Sequence, residues 1–313
     1  RLPLATLFQT STIAGLANLL RQEDWSPNWS SLIAIQPKGR KPPLYCVHAC
    51  GAHVFIYRSL VSYLSSDQPV YGLQARTLDY QTERLIRVED MAAHYLKEIR
   101  EFQPHGPYYL LGDTLGGLFA LEIARQLDVA GQEVALLAML DTHCPLPFAP
   151  AKRILSHLSH LKQLGVRRYL RRAALGIKSR LGLYRESGGV PLTEEEKRYE
   201  QQILLAEDPL ARTEWAIYRA TQNYVPPKRI SAKIAYFLAR DNEYKNRFED
   251  NRRRWKTVAD GGFEVYVIPG RHDTIREEPN VGYLAQKLTA CLESTYLQRR
   301  TSHATLRSLA PHN

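Results

Sequence analysis

Three kinds of residue in this chain could together activate a hydroxyl group. They are a threonine on a glycine-flanked turn, a histidine behind a late strand, and aspartates at the ends of two strands. The threonine is Thr114, in Leu111-Gly112-Asp113-Thr114-Leu115-Gly116-Gly117, directly behind the apolar run Pro107-Tyr108-Tyr109-Leu110. The stretch reads as a strand ending in a sharp turn into a helix. Gly112 and Gly116 stand two residues either side of Thr114, where a Cβ would collide with the backbone of so tight a turn. The turn would hold Thr114 at positive φ, with its hydroxyl pointing into a cleft. That dihedral is an unfavourable one for a β-branched residue.

A hydroxyl nucleophile needs a base to take its proton and an acid to orient that base. The candidate base is His272, in Val267-Ile268-Pro269-Gly270-Arg271-His272-Asp273, on a loop straight after the last strand. Arg271 beside it would oppose its protonation, modestly if its guanidinium points to solvent. Asp141, in Met139-Leu140-Asp141-Thr142, and Asp241, in Leu238-Ala239-Arg240-Asp241, each end a strand and compete as the orienting acid; spacing does not separate them. An oxyanion needs two backbone N–H donors. One should come from Leu115, the residue after the nucleophile. The other should come from the small-residue loop His48-Ala49-Cys50-Gly51-Ala52.

These residues have to be positioned by a regular frame. From Ser31 onward, strands and helices alternate, which predicts a mostly parallel sheet with helices on both faces. The strands are 31–36, 44–48, 70–73, 108–112, 134–140, 234–239 and 263–268, with Lys38-Gly39 as turn chemistry after the first. Helices are expected over 88–102 and 115–129, and from Pro279 to about Thr295. The chain between Leu140 and Ile234 far exceeds the about 2–6 residues of an ordinary connection, so it should fold as a helical lid, about 145–228. Thr193-Glu194-Glu195-Glu196 reads there as a capping box, and a helix is expected again over 210–222. Residues 1–22 show helical spacing with Thr12 as a cap, and 23–30 read as a linker. Residues 298–313 read as a basic, disordered tail.

The chain has 313 residues, 44% hydrophobic and 24% charged, with a net charge of +10. No apolar run approaches the ~20 residues of a membrane span. Four cysteines are too few for a disulfide framework, and Cys46 and Cys50 have no neighbouring ligand cluster, so no metal is expected and a reducing cytoplasm is the default. The opening Arg1-Leu2-Pro3-Leu4 is not a signal peptide and does not start with Met, which suggests a fragment. Between Lys152 and Arg185 basic residues recur without one acidic residue, among them Arg167, Arg168, Arg171 and Arg172. Lacking interleaved aromatics or a nucleic-acid motif, this run fits an acidic protein partner or a phosphate, or is simply a solvated helical face.

Taken in order, Tyr45–Ala52, Gly112–Gly117, Met139–Asp141 and Pro269–His272 resemble the thioesterase domain that terminates non-ribosomal peptide synthetases and polyketide synthases, from about Ser31 to Leu297. The resemblance implies an α/β-hydrolase fold, whose chain order is nucleophile, acid, histidine. It favours Asp141 over Asp241 as the acid, and it assigns the second oxyanion-hole N–H to Cys50, whose thiol then has no catalytic duty. Residues 1–22, with Leu2-Pro3-Leu4-Ala5-Thr6-Leu7-Phe8, resemble the last helices of a peptidyl or acyl carrier domain. The implied activity is release of an acyl or peptidyl chain from the phosphopantetheine of an upstream carrier, by hydrolysis or cyclisation through an acyl-O-Thr enzyme. No cofactor is bound by the domain itself, and the implied partners are the carrier and the megasynthase modules, not nucleic acid or membrane. The family places Ser, sometimes Cys, where this chain has Thr114. A second function therefore stays open: an impaired thioesterase-like module that binds carrier or product without efficient turnover. A free-standing editing thioesterase would lack the carrier-like N-terminus, and a lipase would want an apolar interfacial helix.

Overall fold

Five short runs of apolar residues, each buried along its whole length, form the middle of a seven-stranded sheet. The computed structural model describes residues 6, 10, 12–22, 30–75, 87–145, 198, 201–203, 209–241 and 245–308. The strands are β1 (Leu32–Gln36), β2 (Leu44–Val47), β3 (Val70–Leu73), β4 (Tyr108–Asp113), β5 (Val134–Leu140), β6 (Ile234–Ala239) and β7 (Phe263–Ile268), in spatial order β1-β3-β2-β4-β5-β6-β7. Every pairing is parallel except that of β1 with β3, where Leu32 faces Leu73. The Lys38-Gly39 turn therefore does not close a hairpin. It carries the chain past β3 to β2, and Gly39 (φ +136) lies so close to the backbone that a Cβ would stand 2.4 Å from the Asp67 carbonyl oxygen.

The helices are α1 (Ile13–Leu20), α2 (Arg58–Ser62, after a 3-10 turn at Phe55–Tyr57), α3 (Val88–Phe102), α4 (Gly116–Val129), α5 (Pro209–Asn223), α6 (Lys245–Val258) and α7 (Asn280–Ser308). Alternation along each strand divides the sheet between two cores. Tyr108 and Leu110 pack with α3, α4, α5 and α6 on one face; Tyr109 and Leu111 pack with α2 and α7 on the other. In α3 the buried positions Val88, Ala92, Tyr95 and Ile99 recur at helical spacing, with Glu89 and Asp90 in the first turn and Arg100 in the last, matching the helix dipole. Thr12 caps α1 by accepting the Gly15 N–H at 3.0 Å.

One boundary differs from expectation. α7 does not stop near Thr295 but continues through the segment read as a disordered tail, to Ser308. No Gly or Pro interrupts residues 296–308, and Leu297, Gln298, Arg299, Ala304 and Leu306 are good helix formers. Arg299 pairs with Glu133, and the Tyr296 hydroxyl donates to Gln68 at 2.9 Å. The expected linker, the capping box at Thr193 and most of the lid, with Arg167, Arg168, Arg171 and Arg172, lie outside the described residues. Within the segment expected to form a lid, the described helix is α5. Parallel strands in this order, with helices on both faces and a long insertion after β5, constitute an α/β-hydrolase fold.

Candidate active site

The turn between β4 and α4 is as tight as the glycine spacing requires. A Cβ on Gly112 would sit 2.4 Å from the Gly116 carbonyl oxygen, and one on Gly116 2.2 Å from that of His48. Thr114 stands at the apex with φ 54, half-buried, its N–H donating to the Leu140 carbonyl at 2.9 Å. Its Oγ1 lies 3.2 Å from His272 Nε2. The other ring nitrogen, Nδ1, lies 2.7 Å from Asp141 Oδ2, on a carboxylate whose side chain is fully buried. The fold thus brings Thr114, His272 and Asp141 into one chain of contacts from the ends of β4, β7 and β5.

Asp141 reaches His272 because the backbone after β5 turns sharply, with Asp141 itself at φ 46. α6 holds the segment behind it. The Thr142 carbonyl accepts from the Trp255 indole at 2.9 Å and the Tyr236 hydroxyl at 3.1 Å, while Asn251 Oδ1 accepts the Cys144 N–H at 3.0 Å. Asp241 does different work. Its Oδ2 accepts the Gly270 N–H at 3.1 Å, and its own N–H donates to the Gly270 carbonyl at 3.0 Å, so it braces the base of the histidine loop. It is also paired with Arg240 at 3.1 Å.

The contact with Asp141 raises the His272 pKa above its ordinary value, although burial acts in the opposite direction. The Arg271 side chain is mostly exposed and its guanidinium pairs with Asp273 at 2.8 Å. The cation that depresses His272 is Arg276, four residues on. Sequence reasoning missed this residue and its partner Asp113, a carboxylate 1% exposed at the end of β4. The only hint in the sequence was an acidic residue where the strand should be wholly buried.

The loop carrying Cys50 abuts the start of α4, as the closeness of Gly116 to the His48 carbonyl shows. Among the described residues, neither the Leu115 N–H nor the Cys50 N–H donates to another group. The Cys50 thiol, its pKa raised by burial, turns to the Glu214 carbonyl on α5 at 3.9 Å. Glu214 and His53 flank Gly51, so α5 rests on this loop. Deeper in, His48 is held neutral by burial, with its pKa lowered to about 4; it bridges Tyr95 and the Ala49 carbonyl, each at 2.7 Å. This arrangement is equipped for acyl transfer through a hydroxyl nucleophile.

The chain is similar to known proteins over most of its length. The family model of the thioesterase domain matches residues 42–292. A dimodular nonribosomal peptide synthase of Bacillus subtilis (strain 168) is 42% identical over 151 residues, covering 48% of this chain and 6% of that protein. The malpibaldin synthetase of Mortierella alpina is 27% identical over 304 residues, covering 93% of this chain and 5% of its own length. The chain therefore corresponds to a small part of these relatives. Among solved structures, the NocB thioesterase domain in covalent complex with a fluorophosphonate nocardicin G analog superposes with a TM-score of 0.57 at 18% identity, over 83% of this chain and 99% of that one. Fold, site geometry and the match across residues 42–292 lead to one conclusion: the chain belongs to the thioesterase domain family, enzymes of the α/β-hydrolase type.

Proposed function

We propose that this domain releases a peptidyl or acyl chain from the phosphopantetheine thioester of an upstream carrier, through an ester on Thr114. The observation that carries the reading is the His272 imidazole set between Thr114 at 3.2 Å and Asp141 at 2.7 Å. Thr114 Oγ1 attacks the thioester carbonyl carbon while its proton passes to His272 Nε2. The backbone N–H groups of Leu115 and Cys50 receive the oxyanion. Collapse expels the pantetheine sulfur, which takes the proton from His272. Water, or a hydroxyl or amine of the bound chain, then gives its proton to His272 and attacks the ester, and Thr114 leaves with that proton. Asp141 holds the ring with Nδ1–H towards itself and stabilises the imidazolium. The carrier-like residues 1–22 and the multidomain relatives support a carrier partner, and the basic run through Arg167, Arg168, Arg171 and Arg172 would attract its acidic surface or the pantetheine phosphate. That the described cysteines form no disulfide agrees with a reducing, cytoplasmic setting, and the chemistry requires no cofactor held by the domain.

One observation favours the second reading, a module with poor turnover. Thr114 holds a β-branched side chain at φ 54, a conformation that costs an ordinary L-residue about 1–2 kcal/mol. Incubation with acyl-N-acetylcysteamine thioesters separates the two readings. Multiple turnovers that vanish in Thr114→Ala support release. Absence of turnover and of an adduct, with both appearing in Thr114→Ser, supports the impaired module.

A further inference from the structure

Beneath Thr114 and His272 lies an ion pair to which neither the nucleophile nor its base assigns a role. Arg276 Nη1 contacts Asp113 Oδ2, joining the loop that carries His272 to the residue just before the nucleophile. The other carboxylate oxygen, Oδ1, is 3.4 Å from Thr114 Oγ1 and competes with His272 for the hydroxyl. Asp113 is 1% exposed and the Arg276 side chain 20%. Groups so far removed from water are strongly coupled to whatever charge appears beside them.

The charges facing His272 come from each neighbouring element. Asp141 stands at the end of β5, Asp113 at the end of β4 and Arg276 beyond the histidine loop, while Asp273 beside it is neutralised by Arg271. Two carboxylates and one guanidinium leave one uncompensated negative charge. That matches the single positive charge His272 acquires when Thr114 attacks. Without Arg276, two anions would face the ring and favour the imidazolium before substrate arrived. Without Asp113, Arg276 would offset Asp141 and no net anion would remain to stabilise the imidazolium.

We propose that the Asp113–Arg276 ion pair is a positioning element that ties the His272 loop to the nucleophile turn and balances the charge around the imidazole. It acts through His272 and does not itself touch substrate. The inference rests on the reading of His272 as the general base, and it makes separate demands on structure and on protonation.

The test uses the whole chain with 13C-labelled histidine, the His272 signal being identified by its absence in His272→Gln. In Asp113→Asn the isosteric amide still accepts from Arg276, yet the anion is gone, so the His272 titration midpoint falls by about one pH unit. In Asp113→Asn combined with Arg276→Met both charges are gone, and the midpoint returns most of the way to that of the unsubstituted chain. Hydrogen exchange tests the tie: Arg276→Gln raises exchange of backbone amides in 270–276 at least tenfold while the β4 amides stay protected. Coincident midpoints in all three chains overturn the charge-balance role, and unchanged exchange in Arg276→Gln overturns the tie, which holds even where Asp113→Asn fails to fold. The acid limb of kcat/KM for an acyl-N-acetylcysteamine thioester should move with the midpoint. A chain without turnover at any pH contradicts the proposed chemistry, while midpoints and exchange still judge the ion pair.

Discussion

Replacing Asp141 by Asn separates the orienting acid from its competitor Asp241. The buried Asp141 carboxylate accepts the Nδ1–H of His272 at 2.7 Å, which leaves Nε2 unprotonated and facing Thr114. An asparagine amide in the same space donates to Nδ1 instead and moves the ring proton to Nε2, where the ring cannot accept from the hydroxyl. It also removes the charge that stabilises the imidazolium. Loss of a charge-assisted hydrogen bond costs about 1.5–3 kcal/mol, and the wrong tautomer adds enough for a total of about 4–5 kcal/mol, a ~10³–10⁴-fold fall in kcat. Because Asp141 is the main cause of the raised His272 pKa, the acid limb of any remaining activity should shift to lower pH. In Asp241→Asn the amide oxygen still accepts the Gly270 N–H, and kcat should stay within about threefold, since Asp241 touches the loop base and not the ring. The assay is kcat against pH with a soluble acyl thioester, with thermal unfolding recorded for both variants. Equal losses in the two, or a loss confined to Asp241→Asn, would refute the assignment of Asp141.

Other expectations follow from the same geometry. Gly116→Ala drives a methyl to 2.2 Å from the His48 carbonyl and should destabilise the domain by at least about 3 kcal/mol, seen as a lower urea midpoint; an unchanged midpoint would mean the turn is looser than described. His48 has a folded pKa depressed to about 4, so its contribution is present above the unfolded value near 6.5 and is lost as pH falls towards 4. That amounts to about 3 kcal/mol, and His48→Leu should flatten the stability profile between pH 7 and 4.5, whereas a parallel profile would exclude His48 as the cause. Neutralising Arg167, Arg168, Arg171 and Arg172 should raise KM for carrier-bound substrate and leave small soluble thioesters unaffected; equal effects on both would remove the docking role.

β5 and β6 were legible because each is an unbroken apolar run of strand length between turn signals, as parallel strands buried on both faces must be, whereas β7, at the sheet edge, is interrupted by Glu264 and only partly buried. α2 was not legible, since five residues, Arg58–Ser62, complete little more than one helical turn and carry no periodicity. α6 was hidden for another reason. Its sequence KNRFEDNRRRWKTV is dominated by charge, and the buried Trp255 and Asn251 that support the Asp141 segment contribute too little apolar signal to mark a face. Thr114 and His272 could be read from local turn chemistry. Choosing between Asp141 and Asp241 needed three dimensions, because both end adjacent parallel strands and only the turn after β5 brings a carboxylate to the ring. The Asp113–Arg276 pair joins residues far apart in the chain, and nothing local to either one marks its partner.

The most direct test of the account is intact-protein mass spectrometry of the chain and of Thr114→Ala after mixing with a panel of acyl-N-acetylcysteamine thioesters. The account predicts an acyl adduct on the unsubstituted chain, absent from Thr114→Ala, with free acid or cyclic product accumulating as it decays. An adduct that persists in Thr114→Ala, or product formed at equal rates by both chains, would contradict an acyl-enzyme on Thr114.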